Sequence, residues 1–199
     1  PSVGMSSPMN FYGLITDEIV SQLKDQVNIT REHNHTILMS HYPLSTVNIA
    51  EHPLRNGRKK LEDEILDEWR PTAYLSGHLH LAHLHDSNNF MLDLELGDFM
   101  FNNYYRLLAF DNDIFSFVDT KLGKWPLILV PNPKNDKPLS QKDKWQRMKR
   151  SRHIRALLFS TSNITNIEIH IDHRPIVSMR DGIVRVGSVL RRQTDSPLF

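Results

Sequence analysis

The segment Ser76–His85 reads SGHLHLAHLH and places histidines at positions 78, 80, 83 and 85. Neutral imidazole is the commonest nitrogen ligand of transition metals, so four in one short segment point to metal chemistry more strongly than any one alone. Gly77-His78-Leu79-His80 follows a short apolar run, and Gly77 is expected to let the chain turn sharply there. The His-x-His spacing is read as directing the two imidazoles apart, toward two neighbouring metals. His41 has a similar setting, because it follows the apolar run Thr36–Met39 and precedes Pro43. Ligands in open α/β folds gather at the carboxyl ends of strands, so the two histidine segments can converge.

Those histidines need elements to carry them. Residues 14–27 (LITDEIVSQLKDQV) predict an amphipathic helix with Thr16 as N-cap and Ile15, Ile19, Leu23 and Val27 on one stripe. Thr36–Met39 predicts a buried strand, and 58–69 a second helix with Leu61, Ile65 and Trp69 on one face, stopped by Pro71. Thr72–Leu75 predicts another strand, so helices and strands alternate as in an α/β layer. Next come Phe90–Leu96, Tyr105–Phe110, Ile114–Val118 and Leu127–Val130, apolar or alternating runs that predict consecutive antiparallel strands, with a hairpin turn at Asn112-Asp113. Residues 131–153 hold prolines and then a basic run, which predicts a solvated linker. Ile154–Ser160, Ile164–Asp172 and Ile183–Val186 predict strands of a small second β domain, and no pattern is visible from Gly187 onward.

The totals narrow the classes. The chain has 199 residues, is 39% hydrophobic and 24% charged, and carries a formal charge of +1. The absence of cysteine excludes disulfide frameworks and thiolate metal sites. No apolar run approaches the roughly 18–20 residues that span a bilayer. There is no signal-peptide pattern at the start, and the first residue is Pro rather than Met, which suggests a processed chain, a fragment or an incomplete gene model. Sequons at Asn28, Asn34 and Asn163 leave a secretory location open. The basic run contains Trp145 but no series of stacking aromatics, so nucleic acid is not an expected partner.

An apolar strand ending in His41-Tyr42-Pro43, followed after one helix by a strand and Gly-His-x-His, resembles the calcineurin-like metallophosphoesterases. The more detailed resemblance is to the transmembrane protein 62 family within that superfamily. It is carried by PMNFYGLIT (8–16), NHTILMSHYPLST (34–46), AYLSGHLH (73–80), LELGDF (94–99), FDNDIFSFVD (110–119), GKWPLILVPNPK (123–134) and HIRALLFSTSNIT (153–165). The resemblance implies a partial metallophosphoesterase β-sandwich flanked by helices over 1–133, a basic linker over 134–152, and an incomplete Ig-like β domain over 153–199. It implies hydrolysis of a phosphate ester at two divalent metals (Mn, Fe or Zn), with His41 and His78 on one and His80 on the other. His83 and His85 have no counterpart in the motif and are read as loop residues.

The family's Asp-x-His, Gly-Asp-x-x-Asp and Gly-Asn-His motifs do not occur in this sequence. Neutral imidazoles alone do not offset the repulsion between two cations about 4 Å apart. The chain alone is therefore expected to hold at most one metal weakly and to be inactive. Gly97-Asp98 is read as a strand-end turn, not as the missing bridge. The resemblance also implies a membrane protein anchored by segments outside this chain, with this part lumenal or extracellular. The alternative is a non-catalytic, membrane-associated binding or scaffold module.

Overall fold

Local capping sets most boundaries in the first half of the chain. The computed structural model describes residues 3–4, 11–85, 91–135, 142–143, 145–171 and 173–178. β1 (Val3–Gly4) and β2 (Gly13–Ile15) precede α1 (Asp17–Thr30). The Thr16 hydroxyl accepts from Ile19 N–H at 3.2 Å and opens α1, with Asp17 and Glu18 at its positive end. The helix begins later than its apolar period suggests, because Gly13–Ile15 pair with a parallel strand instead.

After β3 (Ile37–Met39) come a 3-10 turn, β4 (Val47–Ile49) and β5 (His52–Asn56). The Asn56 side chain accepts from Lys59 N–H at 3.1 Å and caps α2 (Gly57–Leu61), which continues through a π-helical turn, Glu62–Leu66, into α3 (Asp67–Trp69). Leu61, Ile65 and Trp69 are all buried, as their spacing predicts. Arg70 turns left-handed at φ 48° and Pro71 ends the helix. There follow β6 (Ala73–Ser76), β7 (His83–His85), β8 (Leu92–Glu95), β9 (Tyr104–Asp111), β10 (Ile114–Lys121) and β11 (Leu127–Asn132). The remaining elements are α4 (Trp145–Arg150), β12 (Arg155–Phe159), β13 (Glu168–Ile171) and β14 (Arg174–Ser178).

The central sheet has the order β3-β6-β8-β7. β3, β6 and β8 are parallel, while β7 runs antiparallel to β8. This corrects two expectations. β8 does not begin an antiparallel series, and His83 and His85 lie in a strand, not a loop. β3 is also only half-buried, with Met39 81% exposed.

One face of this sheet packs against α1, α2, the π-helical turn, β2 and β4 through Leu38 and Tyr74. The other face, with Ala73, Leu92 and Leu94, packs on Phe115 and Phe117 of the β9–β10 hairpin. Asn112 and Asp113, both at positive φ, form that hairpin's turn. The result is a mixed α/β layered arrangement with mostly short strands.

The chain divides into two compact units, Pro1–Phe159 and Ser160–Phe199. In the second, β13 and β14 pair antiparallel. The expected strand Ile183–Val186 and the patternless end lie outside the described residues.

The segment read as a solvated linker contains a buried ion pair. Lys134 Nζ lies 2.6 Å from Asp143 Oδ2, with side-chain exposures of 2% and 0%. The basic residues beyond it are partly neutralised, since Arg147 pairs with Asp113 and Arg155 with Asp111. A buried charge left without its partner is costly, whereas replacing both partners by apolar groups often is not. Lys134→Met alone is expected to cost about 3–5 kcal/mol in denaturant unfolding, and Lys134→Met with Asp143→Leu to recover most of that. Equal losses in the single and double variants would contradict a coupled pair.

Candidate functional site

His41 and His78 meet at the carboxyl ends of the parallel strands β3 and β6. The backbone brings them together: Ser40 N–H donates to Leu75 O at 3.0 Å, and Gly77 N–H donates to His41 O at 3.1 Å. His78 Nδ1 then lies 2.8 Å from His41 Nε2, with ring centroids 4.7 Å apart at 74°. The Tyr42 ring packs against His78 at 4.4 Å. Gly13 allows that packing, since a Cβ there would come within 2.6 Å of the Tyr42 ring.

The other nitrogen of His78 fixes the chemistry. His78 Nε2 lies 3.1 Å from the carbonyl oxygen of Phe11, which can only accept. The neutral ring therefore carries its proton on Nε2 and presents Nδ1 as a lone pair toward His41. A metal-binding histidine commonly donates its other N–H in this way, to a backbone carbonyl or carboxylate that orients the ring. Partial burial holds the His41 pKa below its ordinary value, and the charges of His78 and His80 push it further in that direction. Long-range proton–nitrogen NMR at neutral pH is expected to show His78 as the Nε2–H tautomer. An Nδ1–H tautomer would contradict the Phe11 contact.

The turn is not made by Gly77. His78 and His80 themselves have positive φ, 75° and 62°, and Leu79 N–H donates to Gly77 O at 3.0 Å across His78. An extended His-x-His would put both rings on one face. Left-handed backbone at both residues is what breaks that period, and such strain is found preferentially at functional sites. His80 is exposed, and no hydrogen bond joins it to the His41–His78 pair. Its charge acts on both His41 and Asp98.

Asp98 does not stand in for a bridging carboxylate. Its Oδ1 accepts from Phe101 N–H at 2.7 Å and Asn102 N–H at 3.1 Å, and its Oδ2 from the Asn102 amide. The Asn102 amide, then the Phe101 N–H, hold its pKa below the usual carboxylate range. Two further carboxylates have no signal in the sequence pattern: Asp93 and Glu95 are fully buried in β8, opposite His85 and His83 of β7. Tyr74, opposite Asp93 on the other side, donates to Tyr42 O at 2.8 Å.

Burial pushes the Tyr74 pKa up to about 12, with a Ser40 hydrogen bond opposing and Asp93 adding. A pKa raised above the unfolded value near 10 gives stability that is present below pH 10 and lost as pH rises toward 12. Unfolding measured across that window is expected to show this alkaline loss in the parent and not in Tyr74→Phe. An equal slope in both would assign it elsewhere.

At 2.8 Å the facing nitrogens of His41 and His78 are at hydrogen-bond distance. Two imidazole nitrogens on one tetrahedral ion at about 2.0–2.1 Å lie about 3.4 Å apart, so an ion between them requires the rings to separate by roughly half an ångström. Among the described residues, no group of three or more His, Asp or Glu side chains is arranged to hold an ion.

Among known proteins, transmembrane protein 62 of Mus musculus is 34% identical over 176 residues, covering 85% of this chain. The chain spans 26% of that relative's length, about a quarter. No family model matches the chain. No solved structure matches it either.

Proposed function

Because the chain is transmembrane protein 62-like across most of its length, we propose that it contributes to the hydrolytic site of a membrane-associated, two-metal phosphoesterase. The observation that carries this reading is the His41–His78 contact of 2.8 Å at adjacent strand ends. Strand ends of this kind are where open α/β sheets place their ligands. The chemistry that divalent ions would supply in such a centre, when bound, is a hydroxide at neutral pH and polarisation of the phosphoryl oxygen.

This chain's part is to bind and orient. His78 would offer Nδ1 and His41 Nε2 toward one ion once the proton lying between them in the 2.8 Å contact is displaced, and His80 is assigned to the second. The Phe11 carbonyl favours the His78 proton on Nε2, which leaves Nδ1 as the nitrogen that faces His41. The carboxylate that would bridge two ions is not among the described residues near these histidines. The chain alone accordingly binds a single ion weakly and does not turn over. In the same reading, the β13–β14 hairpin belongs to the start of an Ig-like β domain.

Titration calorimetry with zinc or manganese is expected to show weak binding of about one equivalent. His41→Ala and His78→Ala are each expected to weaken it at least about tenfold, and His83→Ala to leave it unchanged. No chelator-sensitive hydrolysis of a simple phosphomonoester or phosphodiester is expected from the isolated chain. Binding indifferent to both substitutions would remove the assignment of this pair, and chelator-sensitive turnover would show that the chain needs no further carboxylate.

A further inference from the structure

Just past β8, Phe99, Met100 and Phe101 are 57%, 81% and 76% exposed. They are held in place, because the Asp98 carboxylate accepts the backbone N–H groups of Phe101 and Asn102. Beside them, Leu122 N–H donates to Asn103 O at 2.9 Å and ties on the turn that follows β10. That turn adds Leu122 and Trp125, 62% and 46% exposed. Single exposed apolar side chains are ordinary, but five on two joined loops form a patch that calls for a partner.

The charge around the patch says which partner. Residues 98–105 and 119–126 hold Lys121 and Lys124 against Asp98, whose carboxylate is taken up by Phe101 and Asn102, and Asp119, which is paired with Arg106, so the two lysines carry the outward charge. The Lys121 ammonium sits 4.6 Å from the centre of the Tyr104 ring. Aromatic and aliphatic tips flanked by lysines suit the bilayer interface, where rings enter the headgroup layer and ammonium groups meet anionic lipid. A protein partner would be expected to meet a polar rim of mixed sign.

The position of the patch adds a consequence. β3, β6 and β8 are parallel, so the 99–101 protrusion leaves the sheet by the same edge as His41 and His78. We infer that the loops 98–103 and 121–125 form a lipid-contacting lip that seats this edge of the sheet on the surface of an anionic bilayer. The lip dips into the interface and does not span it. It deepens the membrane association proposed above and rests on that reading in choosing lipid over protein. Lipid contact does not require hydrolysis.

Sedimentation of the 199-residue chain with vesicles tests this, using phosphatidylcholine alone and phosphatidylcholine with about one phosphatidylserine in three. Association is expected with the mixed vesicles, accompanied by a blue shift of Trp125 emission that is missing in Trp125→Phe. Combined Phe99→Ser, Met100→Ser and Phe101→Ser is expected to weaken association at least about tenfold, with melting by circular dichroism unchanged. Lys121→Glu with Lys124→Glu is expected to remove the preference for anionic vesicles, roughly fivefold per lysine.

No association, or association unchanged by the serine substitutions, would overturn the lip. Self-association lost in the serine variant, without vesicle binding, would assign the patch to a second copy and overturn it equally. Loss of metal binding with vesicle binding intact would sink the hydrolase reading and leave the lip standing.

Discussion

The Nε2–H of His78 has the Phe11 carbonyl oxygen as its acceptor, and the orientation of the His41–His78 pair follows from that hydrogen bond. A ring committed on one side has one nitrogen left to offer, and here that nitrogen faces His41 Nε2. Tyr42 supports the arrangement from below, with its ring against His78 and its carbonyl held by Tyr74. Gly13 lets β2 approach close enough for the Tyr42 ring to sit there. Elements far apart in sequence therefore converge on one imidazole, and the left-handed backbone at His78 is tolerated because they over-determine it.

Charge is distributed unevenly through the same sheet. The carboxylates of β8 are buried beside the neighbouring strand β7, and Asp98 at the strand's end is consumed by a turn. Among the described residues, no third His, Asp or Glu side chain joins the nitrogen pair to hold an ion. The β9–β10 hairpin compensates elsewhere: Asp111 and Asp113 meet Arg155 and Arg147. Beyond β11, Lys134 and Asp143 pair out of water. These contacts fold the basic segment onto the hairpin, so its surface charge is lower than the residue count suggests.

Much of this was legible in the sequence where a local rule governs. Thr16 caps α1, Leu61, Ile65 and Trp69 share a buried stripe, and Asn112-Asp113 turns the hairpin, each for reasons carried by a few neighbouring residues. The convergence of His41 with His78 was legible too, because both follow apolar strands. What escaped depends on tertiary pairing. Leu92-Asp93-Leu94-Glu95 alternates like a half-exposed antiparallel strand, yet all four positions are buried between parallel and antiparallel neighbours. His83 and His85 become strand residues only through that pairing. The Phe11 contact uses a backbone oxygen, which has no side-chain signature. Lys134 and Asp143 lie in a proline-rich polar stretch, and nothing in such a stretch announces a buried pair.

Within SGHLHLAHLH it is His78 that joins His41 across the two strand ends. X-ray absorption on the chain loaded with less than one equivalent of zinc counts imidazole ligands directly. Two histidine nitrogens at about 2.0–2.1 Å, falling to one in His41→Ala, is the expected result. Three or more histidine nitrogens that persist in His41→Ala would contradict it.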